Sequence, residues 1–451
     1  MPHIYSARWI LPITSPRIEN GAVAIEGGKI VAVGSRSDLA KQFPAWTVED
    51  FGDAAILPGL INTHSHLELT VMRGFLEAEE HDFFSWLRKL TIARMAMTEE
   101  DLFVSAACGA IEAARAGITF VGDSSSLAVQ SMKALREIGL RGTVYQESFG
   151  PDPKLAQQNF ADLKAQVATM REFETDYVRA GVSPHAPYTV SAPQLEMISR
   201  FAIDQTLPLM MHAAESEAER QLFLTGEGPF ADGLRKREID WQAPGISTIQ
   251  YLDRHGVMAA APLLAHCINV DDADIQLIKK RGAGVAHCSK SNAKLSHGRA
   301  PFARLLARDV NVGLGSDSVA SNNTCDILEE GRFATLGSRF AATDREETVT
   351  AEKALYAATF GGARALGSSD RIGALQAGMA ADLTIVGLNG AHQQPVQTPE
   401  ASLIFSSSGR DVIATVVGGE KIYERDRITN AGEADLMNRL SQIRARLASL
   451  A

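Results

Sequence analysis

Eight short apolar segments lie between residues 54 and 317, and longer stretches with helical spacing separate them. Apolar runs of this length, bounded by turn residues, are typical of strands that are buried on both faces. Strands that alternate with helices favour parallel pairing, because a crossover helix connects parallel neighbours. The pattern predicts an α/β protein built on a (β/α)₈ barrel of the TIM type. The eight segments are AAILPGLINTH, AGITFVGDSS, RGTVYQES, VRAGVSPHA, LPLMMHAAE, APLLAHC, GAGVAHCS and VNVGLGSD.

Both ends of the chain have a different sequence pattern from this middle part. Short apolar runs alternate with Gly-rich turns in ENGAVAIEGGKIVAVGS near the start and in DVIATVVGGEKIYE near the end. This pattern is typical of small antiparallel sheets, and we expect one β-sandwich module built from both ends of the chain. The predicted organisation is therefore residues 1–56 and 369–427 for this module, 57–368 for the barrel, and 428–451 for a C-terminal helix.

Charge and cysteine content exclude several classes of function. The formal net charge is -10, whereas nucleic acids and anionic membranes require a concentrated basic surface. The four cysteines are widely spaced and form no CxxC pair, so neither a disulfide framework nor a thiolate zinc site is indicated. No apolar run approaches the ~18 residues of a membrane span, and the N-terminus lacks the pattern of a signal peptide. We expect a soluble cytoplasmic protein.

Two histidines, His64 and His66, lie one residue apart at the end of the first barrel strand. Residues two apart in a strand point to the same face, so both imidazoles can reach one metal ion. The alternative is that one histidine is a hydrogen-bonded core residue and the other faces solvent. Further ligands are needed to decide between these interpretations.

Side chains that can bind a metal ion or transfer protons recur at the ends of the other predicted barrel strands, where catalytic groups of such barrels lie. Six of the eleven histidines lie at strand ends, whereas random placement would scatter them over helices and loops. This clustering favours a metal centre. The residues at the strand ends are His64 and His66, then His185, His212 with Glu215, His266, His287, and finally Asp317.

The best ligand set among these residues is His64, His66, His212 and Asp317. Three imidazoles and one carboxylate suit one divalent ion, zinc or ferrous iron, which lowers the pKa of a bound water toward 7. For Asp317 the alternative is a cap on the following helix.

Two further strand-end residues have a possible role in proton transfer. Glu215 can reach a substrate atom beside the metal, which is what a proton shuttle requires, or it can be a first-turn glutamate favoured by a helix dipole. His266 would polarise the water or a developing oxyanion.

Seven stretches spread over essentially the whole chain resemble the amidohydrolase superfamily, and within it the mononuclear cytosine-deaminase-like branch. That branch includes deaminases of guanine, adenosine derivatives and pterins, together with triazine chlorohydrolases. The stretches are LPGLINTHSH, SPHAPYTVS, MHAAE, LLAHC, SNAKLSHGRAPF, GLGSDSVASNN and IGALQAGMAADLTIV.

The resemblance implies a role for every strand-end residue except His287, to which no chemistry is assigned. The metal ligands would be His64, His66, His212 and Asp317, and Asp317 would also accept the proton of the attacking water. Glu215 matches the proton shuttle, His266 assists the water, and His185 matches a position that contacts substrate. Binuclear relatives bring a bridging lysine from strand 4, and VRAGVSPHAPYTV contains none, so a single metal is expected.

The reaction that follows is hydrolytic deamination, so the expected enzyme is an aminohydrolase that acts on C–N bonds other than peptide bonds. Hydroxide attacks the ring carbon that carries an exocyclic amine, Glu215 protonates the adjacent ring nitrogen, and ammonia leaves. One alternative expels chloride or an alkylamine from a triazine-like ring. Another is a non-catalytic scaffold, which the retention of every metal ligand disfavours. The partners would be a small heterocycle and water, and a homodimer or larger homo-oligomer is possible.

Residues of the loop after strand 1 are the candidates for substrate recognition. Glu68 can bind an amino or hydroxyl group, or it can be a solvated loop acid. Trp86, with Phe83 and Phe84, either walls the pocket or packs the loop against the barrel. Arg73 supplies a positive group near the predicted barrel mouth. This group can bind a substrate carboxylate, or it can have a structural role.

Two further features bear on the identity of the substrate. His297 and Arg299, in SHGRAPF, offer the same two interpretations as Arg73. Adenosine-type members of the family carry a ribose-binding glutamate after the tryptophan, and LRKLTIARM contains no acidic residue. This departure disfavours S-adenosylhomocysteine and adenosine as substrates and leaves aminodeoxyfutalosine-like nucleosides, guanine-like purines and pterins open.

Overall fold

The computed structural model describes residues 2–340 and 348–448, and the chain begins with five strands and one helix. The turn between the second and third strands is Gly27-Gly28, and both residues have positive φ, 57° and 76°. A two-residue hairpin turn of type I′ requires this conformation at both positions, which glycine adopts without strain. The elements are β1 (His3–Ile10), β2 (Ile18–Glu26), β3 (Lys29–Ser35), α1 (Arg36–Gln42), β4 (Thr47–Asp50) and β5 (Ala54–Pro58).

Eight parallel strands follow, in the order that the sequence predicts, and they pair as two four-stranded sheets. The sheets are β6 to β9 and β10 to β13. Single parallel bridges link their edges, Val182 with Leu209 at one side and Ser65 with Asp317 at the other. The strands are β6 (Leu60–Ser65), β7 (Ile118–Ser125), β8 (Arg141–Ser148), β9 (Val178–Pro184), β10 (Met210–Ala213), β11 (Leu263–His266), β12 (Gly284–His287) and β13 (Asn311–Leu314).

The first and last of these strands pack directly against each other. A Cβ atom on Gly313 of β13 would lie 2.2 Å from Cγ2 of Thr63 on β6, so no side chain fits there. The Thr63 hydroxyl donates to the carbonyl of Leu314 over 2.8 Å. The amide of Asp317 donates to the carbonyl of His64 over 2.9 Å, which brings the ends of β6 and β13 together.

Helices connect the strands and cover them, and polar caps define several of their ends. In α3, the Thr98 hydroxyl accepts from the Asp101 amide while the Asp101 carboxylate accepts from the Thr98 amide, which is a capping box. The helices of this part are α2 (Phe83–Met95), α3 (Glu99–Arg115), α4 (Ala128–Ile138), α5 (Ala156–Arg171), α6 (Ala192–Asp204), α7 (Glu217–Leu224), α8 (Pro229–Lys236), α9 (Thr248–Arg254), α10 (Asp272–Arg281), α11 (Ser289–Lys294), α12 (Phe302–Ala307), α13 (Val319–Asn322), α14 (Ile327–Arg339), α15 (Ala351–Ala358) and α16 (Phe360–Ala365). Short 3₁₀ helices, among them Leu67–Met72 directly after β6, complete the loops.

The last part of the chain returns to the N-terminal strands. Its elements are β14 (Leu383–Gly387), α17 (Pro399–Ala401), β15 (Val412–Val417), β16 (Glu420–Glu424), β17 (Arg427–Ile428) and α18 (Glu433–Ala448). β14 pairs with β5, so both chain ends contribute to one nine-stranded sheet, in the order β17-β16-β15-β14-β5-β1-β2-β3 with β4 beside β1. α18 packs on α3, where Arg439 pairs with Glu100 and Arg446 with Asp101. Among the described residues, no helix combines the length and the hydrophobicity that crossing a membrane requires.

Candidate metal centre and active site

The four predicted ligands come together where strands from both parallel sheets end. Nε2 of His66 lies 3.3 Å from Nε2 of His212, and Oδ1 of Asp317 lies 3.4 Å from Nε2 of His64 and 3.6 Å from Nε2 of His66. The ligand atoms of His64, His66 and Asp317 all lie within 4.8 Å of one another. The spacing therefore brings side chains from β6, β10 and the loop after β13 to one point.

The chemistry of this donor set fits a divalent cation. His64 is fully buried, yet neither of its ring nitrogens has a hydrogen-bond partner among the residues described. Buried polar groups are normally paired, so an imidazole of this kind needs a partner that the protein itself does not supply. Three imidazoles and one carboxylate are typical ligands of zinc and ferrous iron.

Burial keeps the imidazoles of His66 and His212 neutral, as metal binding requires. Burial, reinforced by His64, lowers the pKa of His66 well below its usual value. Burial, together with His64 and His266, lowers the pKa of His212 to about 4. Nδ1 of His212 lies 2.8 Å from the carbonyl oxygen of His185 and donates to it, so the lone pair of Nε2 faces His66.

The carboxylate of Asp317 is held by its neighbours, and it does not cap a helix. Ser291 and Ser321 donate to Oδ2 over 2.6 and 3.2 Å, and the amide of Ser318 donates to Oδ1 over 2.7 Å. The following helix is capped by Ser318, whose hydroxyl accepts from the amide of Ala320. The alternative interpretation of Asp317 as a helix cap is therefore wrong.

Glu215 lies before its helix, so the first-turn interpretation is also wrong. Helix α7 begins at Glu217 with Ser216 as its cap. Oε1 of Glu215 lies 3.6 Å from Nε2 of His266, and the hydroxyl of Tyr188 donates to Oε2 over 3.4 Å. Burial alone would raise the pKa of Glu215, but His266 and His297 outweigh burial and hold this pKa well below its usual range.

His266 faces Glu215 with one nitrogen and Asn292 with the other. Nδ1 of His266 lies 2.8 Å from Oδ1 of Asn292, while Nε2 is buried and turned toward the carboxylate. Burial lowers the pKa of His266, but Glu215 and Asp317 outweigh this effect and raise the pKa above its ordinary value. The pair thus joins a carboxylate to an imidazole beside the metal ligands, as the predicted roles require.

A cavity of about 600 Å³ opens onto these groups. This volume is in the range of pockets that bind whole small molecules, roughly 300–1,000 Å³. Aromatic side chains form much of its wall, which suits a flat heterocycle. The residues that line the cavity include Glu68, Phe83, Trp86, Arg94, Glu147, His185, Tyr188 and Phe230.

Three of the four predicted substrate-binding residues line this cavity, which are Glu68, Trp86 and His185. His185 packs its ring 4.6 Å from that of Phe149, and Trp86 is buried and stacks with Phe83 at 6.1 Å.

Glu68 is 1% exposed, so it is not a solvated loop acid. Its oxygens accept from the hydroxyls of Ser125 and Ser126 over 2.6 and 2.7 Å, which orders the turn after β7.

The prediction that Arg73 binds substrate is not supported, because the cavity does not include it. Its guanidinium pairs with Glu112 of α3 and donates to the carbonyl of Asn323. Arg299 similarly donates to the carbonyl of Gly337 over 2.9 Å. Both arginines therefore join loops to helices, which was the structural alternative.

Sequence reasoning missed the buried acid Glu147, which ends β8 at the same edge as the histidines. Oε1 of Glu147 lies 4.0 Å from Nδ1 of His66, and Oε2 lies 3.5 Å from the guanidinium of Arg94. Burial raises the pKa of Glu147 to about 8. Its place in RGTVYQES, at a strand end, was the signal that could have identified it.

Glu147, His185 and His212 form another group whose ligand atoms lie within 4.8 Å. It shares His212 with the predicted site, and Nδ1 of His185 already contacts the hydroxyl of Thr189 at 2.9 Å. The set containing His64, His66 and Asp317 leaves more unpaired nitrogen atoms to bind an ion.

Comparison with known proteins agrees with the family resemblance seen in the sequence. Residues 55–422 match the Amidohydrolase family, and residues 21–45 match an imidazolonepropionase-like composite domain of bacteria. A protein of Syntrophobacter fumaroxidans named 5-methylthioadenosine/S-adenosylhomocysteine deaminase is 33% identical over 430 residues, which cover 95% of this chain and 93% of that protein. A protein of the same name from Moorella thermoacetica is 30% identical over 423 residues, 93% of each chain.

Two solved structures resemble the whole chain. An adenosine deaminase from Xanthomonas campestris with bound zinc has a TM-score of 0.88 at 27% identity, and the match covers 99% of this chain and 98% of that one. An atrazine chlorohydrolase from Arthrobacter aurescens, complexed with zinc, has a TM-score of 0.85 at 23% identity, covering 98% and 100%. The second likeness concerns the fold alone.

Proposed function

Because the chain belongs to the amidohydrolase family, we propose that it is a metal-dependent deaminase that releases ammonia from an adenosine-like nucleoside. The observation that carries this proposal is the convergence of His64, His66, His212 and Asp317 beside Glu215, at the bottom of one cavity. The deaminase relatives favour an adenosine derivative over the guanine-like purines and pterins that the sequence left open.

We also propose the finer features of the architecture. The two bridges between the parallel sheets and the close packing of Gly313 on Thr63 support a closed (β/α)₈ barrel. The nine-stranded sheet supports one β module from both ends, and its division into a sandwich stays a prediction, as do the domain bounds. The four cysteines are buried and unpaired, which supports the predicted reducing, cytoplasmic setting. A homodimer or larger oligomer remains a prediction.

One divalent ion, zinc in preference to iron, is the cofactor that we assign to His64, His66, His212 and Asp317. When bound by these residues, it would supply hydroxide at neutral pH by lowering the pKa of a water molecule. The absence of a lysine from VRAGVSPHAPYTV supports one ion per chain.

Protein groups carry the protons of the proposed reaction. Asp317 accepts a proton from the attacking water, whose oxygen bonds to the ring carbon that bears the amino group. Glu215 takes the second proton of the same water and delivers it to the adjacent ring nitrogen, so the electron pair of the broken ring double bond is captured there. The amino group takes the proton held by Asp317, the C–N bond breaks, the nitrogen leaves as ammonia, and the ring becomes an oxo heterocycle. His266 stabilises negative charge that develops on the attacking oxygen.

The cavity wall of this chain differs from that of adenosine-type family members, which bind ribose through an acid on the helix after the tryptophan. In α2, the charged residue that lines the cavity is Arg94, and the carboxylate beside it is Glu147 of β8. We propose that Glu147 and Arg94 bind the polar substituents of the nucleoside, while Trp86, Tyr188 and Phe230 contact its apolar surface.

The experiment is an ammonia-release assay with the metal content measured on the same sample. The panel contains adenosine, 5-methylthioadenosine, S-adenosylhomocysteine, guanine, a pterin and a chlorinated triazine. Ammonia from the adenosine derivatives, with about one metal ion per chain, supports the proposal. Release of chloride from the triazine without ammonia from any nucleoside would overturn it.

A further inference from the structure

His297 lies in the loop between α11 and α12 and reaches into the barrel toward Glu215. Its side chain is 7% exposed, and its Nδ1 lies 3.3 Å from Oε1 of Glu215. His266 approaches the same carboxylate oxygen at 3.6 Å. Two imidazoles therefore flank one carboxylate oxygen of Glu215, the residue that carries the proton in the proposed reaction.

The carboxylate is the group to which His297 can donate. Both ring nitrogens of His297 are buried and have no hydrogen-bond partner in the part of the chain that the structure describes, and the facing Oε1 of Glu215 lies 3.3 Å from Nδ1. An unpaired buried N–H costs about 1–3 kcal/mol, so the ring is expected to direct its N–H toward the facing oxygen. At 3.3 Å the contact is slightly longer than a usual N–H···O bond, as is common for catalytic contacts without substrate.

His297 also contacts the aromatic wall of the cavity. The ring of Phe83 lies 4.6 Å from that of His297, nearly perpendicular to it, and Phe83 stacks with Trp86. His297 thus lies between α2 and Glu215. Two roles are consistent with this place in the fold, a hydrogen bond to the carboxylate or the filling of space behind Phe83, and they predict different effects of mutation.

We propose that His297 is a positioning residue that donates from Nδ1 to Oε1 of Glu215 and keeps this carboxylate between His266 and the Tyr188 hydroxyl. The inference rests on the proposed function, because it gives Glu215 the task of moving a proton. A carboxylate that rotates away from this position would lose its reach to the substrate ring, so the chemical step would slow while substrate still bound.

The test compares two replacements with opposite properties. His297→Asn keeps an N–H near the position of Nδ1 but fills less space, whereas His297→Leu keeps the volume and removes the donor. We expect kcat of His297→Leu to fall about 30-fold, a share of the roughly 10²–10⁴-fold that a positioned acid–base group contributes. We expect the asparagine variant to keep kcat within about threefold of wild type, and KM to change little in both variants.

His287→Leu is the matched control, since His287 is another buried histidine at the same end of the barrel that stacks on Phe302. Its kcat should stay near that of wild type, with metal content measured in every variant. A leucine variant as active as wild type, or an asparagine variant as impaired as the leucine variant, would overturn the role of the hydrogen bond.

Failure of the proposed function is recognised separately, because the wild-type protein would then release no ammonia from any nucleoside. In that case crystal structures of the two His297 variants decide the inference. Glu215 should keep its rotamer in His297→Asn and leave it in His297→Leu; the same rotamer in both would contradict it.

Discussion

At the scale of single residues, Glu215 is the group on which the proposed chemistry depends most. It is buried, its two oxygens face different partners, and the turn that holds it is ordered by Glu219, whose carboxylate accepts from the amides of Ala214 and Glu215 over 2.8 and 2.9 Å. An acid–base group gains its rate advantage from this kind of fixed position.

Replacing the carboxylate should therefore abolish turnover and leave the metal bound. Glu215→Gln keeps the shape and can no longer take up and release a proton, so kcat should fall at least about 10²-fold. Ammonia release and metal analysis on the same sample measure both effects. Glu217→Gln, two residues away and exposed on α7, is the control and should match wild type. Substantial activity in Glu215→Gln at full metal content would contradict the assignment.

At the scale of elements, the segment between β6 and α3 contains two kinds of residue. Some line the cavity, and others hold the segment against the rest of the protein. Its 3₁₀ helix is joined to α3 through Arg73 and Glu112, whereas α2 directs Phe83, Trp86 and Arg94 to the cavity. Lys294 of α11 pairs with Glu77, which connects this segment to the loops that follow the strands of the second parallel sheet.

Two arginine variants distinguish these functions of the segment. Arg73→Ala removes a partly exposed ion pair, so the free energy of unfolding should fall by about 1 kcal/mol or less while KM stays unchanged. Arg94→Ala removes a cavity guanidinium and should raise KM about tenfold, equivalent to about 1.4 kcal/mol of binding. Steady-state kinetics and urea unfolding measure both. A raised KM for Arg73→Ala would restore it as a substrate-binding residue.

At the scale of the whole molecule, the proposed metal ligands connect strands that are far apart in the sequence. His64, His212 and Asp317 come from β6, β10 and the loop after β13, so an ion bound to all three links both parallel sheets. Ligands that bind only the folded state stabilise it by mass action.

Metal removal should consequently lower both activity and stability. At free metal about 1,000-fold above Kd, linkage contributes about 4 kcal/mol, which chelation removes. Thermal unfolding and ammonia release are measured before chelation, after it, and after adding zinc or ferrous iron. A chelated protein that is metal-free by analysis but keeps its melting temperature and activity would exclude the metal centre.

The metal-free protein should lose stability as pH rises from about 6.5 to about 8. The range starts at about 6.5 because at lower pH the unfolded chain protonates His66 and His212, whose rings burial keeps neutral in the folded state, so their contribution to stability rises with pH. Burial raises the pKa of Asp123, Glu219 and Glu330 to about 7 and that of Glu147 to about 8. In this range the folded carboxyl groups keep protons that the unfolded chain has released near pH 4, so their contribution is present at low pH and is lost as pH rises. Each group adds up to about 1.4 kcal/mol per pH unit to the slope.

Urea unfolding of the metal-free protein at a series of pH values measures this slope. Glu330→Gln removes one of the four groups and should make the slope less steep. A free energy of unfolding that increases from about pH 6.5 to about pH 8 would contradict the prediction.

Local patterns in the sequence determined the parallel strands, the hairpin at Gly27-Gly28 and the residues that meet at the metal centre. This was possible because side chains alternate along a strand and because the C-terminal ends of parallel strands lie at one edge, so strand position alone predicts which groups converge. His64 and His66 follow from spacing two apart, and Asp317 follows from its place after the last strand.

Tertiary structure alone decided the partners of the remaining residues. Glu68 accepts from serines 57 and 58 positions away, Arg73 pairs with Glu112 across 39 positions, and His297 lies against Glu215. Such contacts depend on how loops of different length pack over the C-terminal ends of the parallel strands, and no periodicity in the sequence records that packing. A charged side chain in a loop has the same local appearance whether it binds substrate or another loop, and only its neighbours in space distinguish the two.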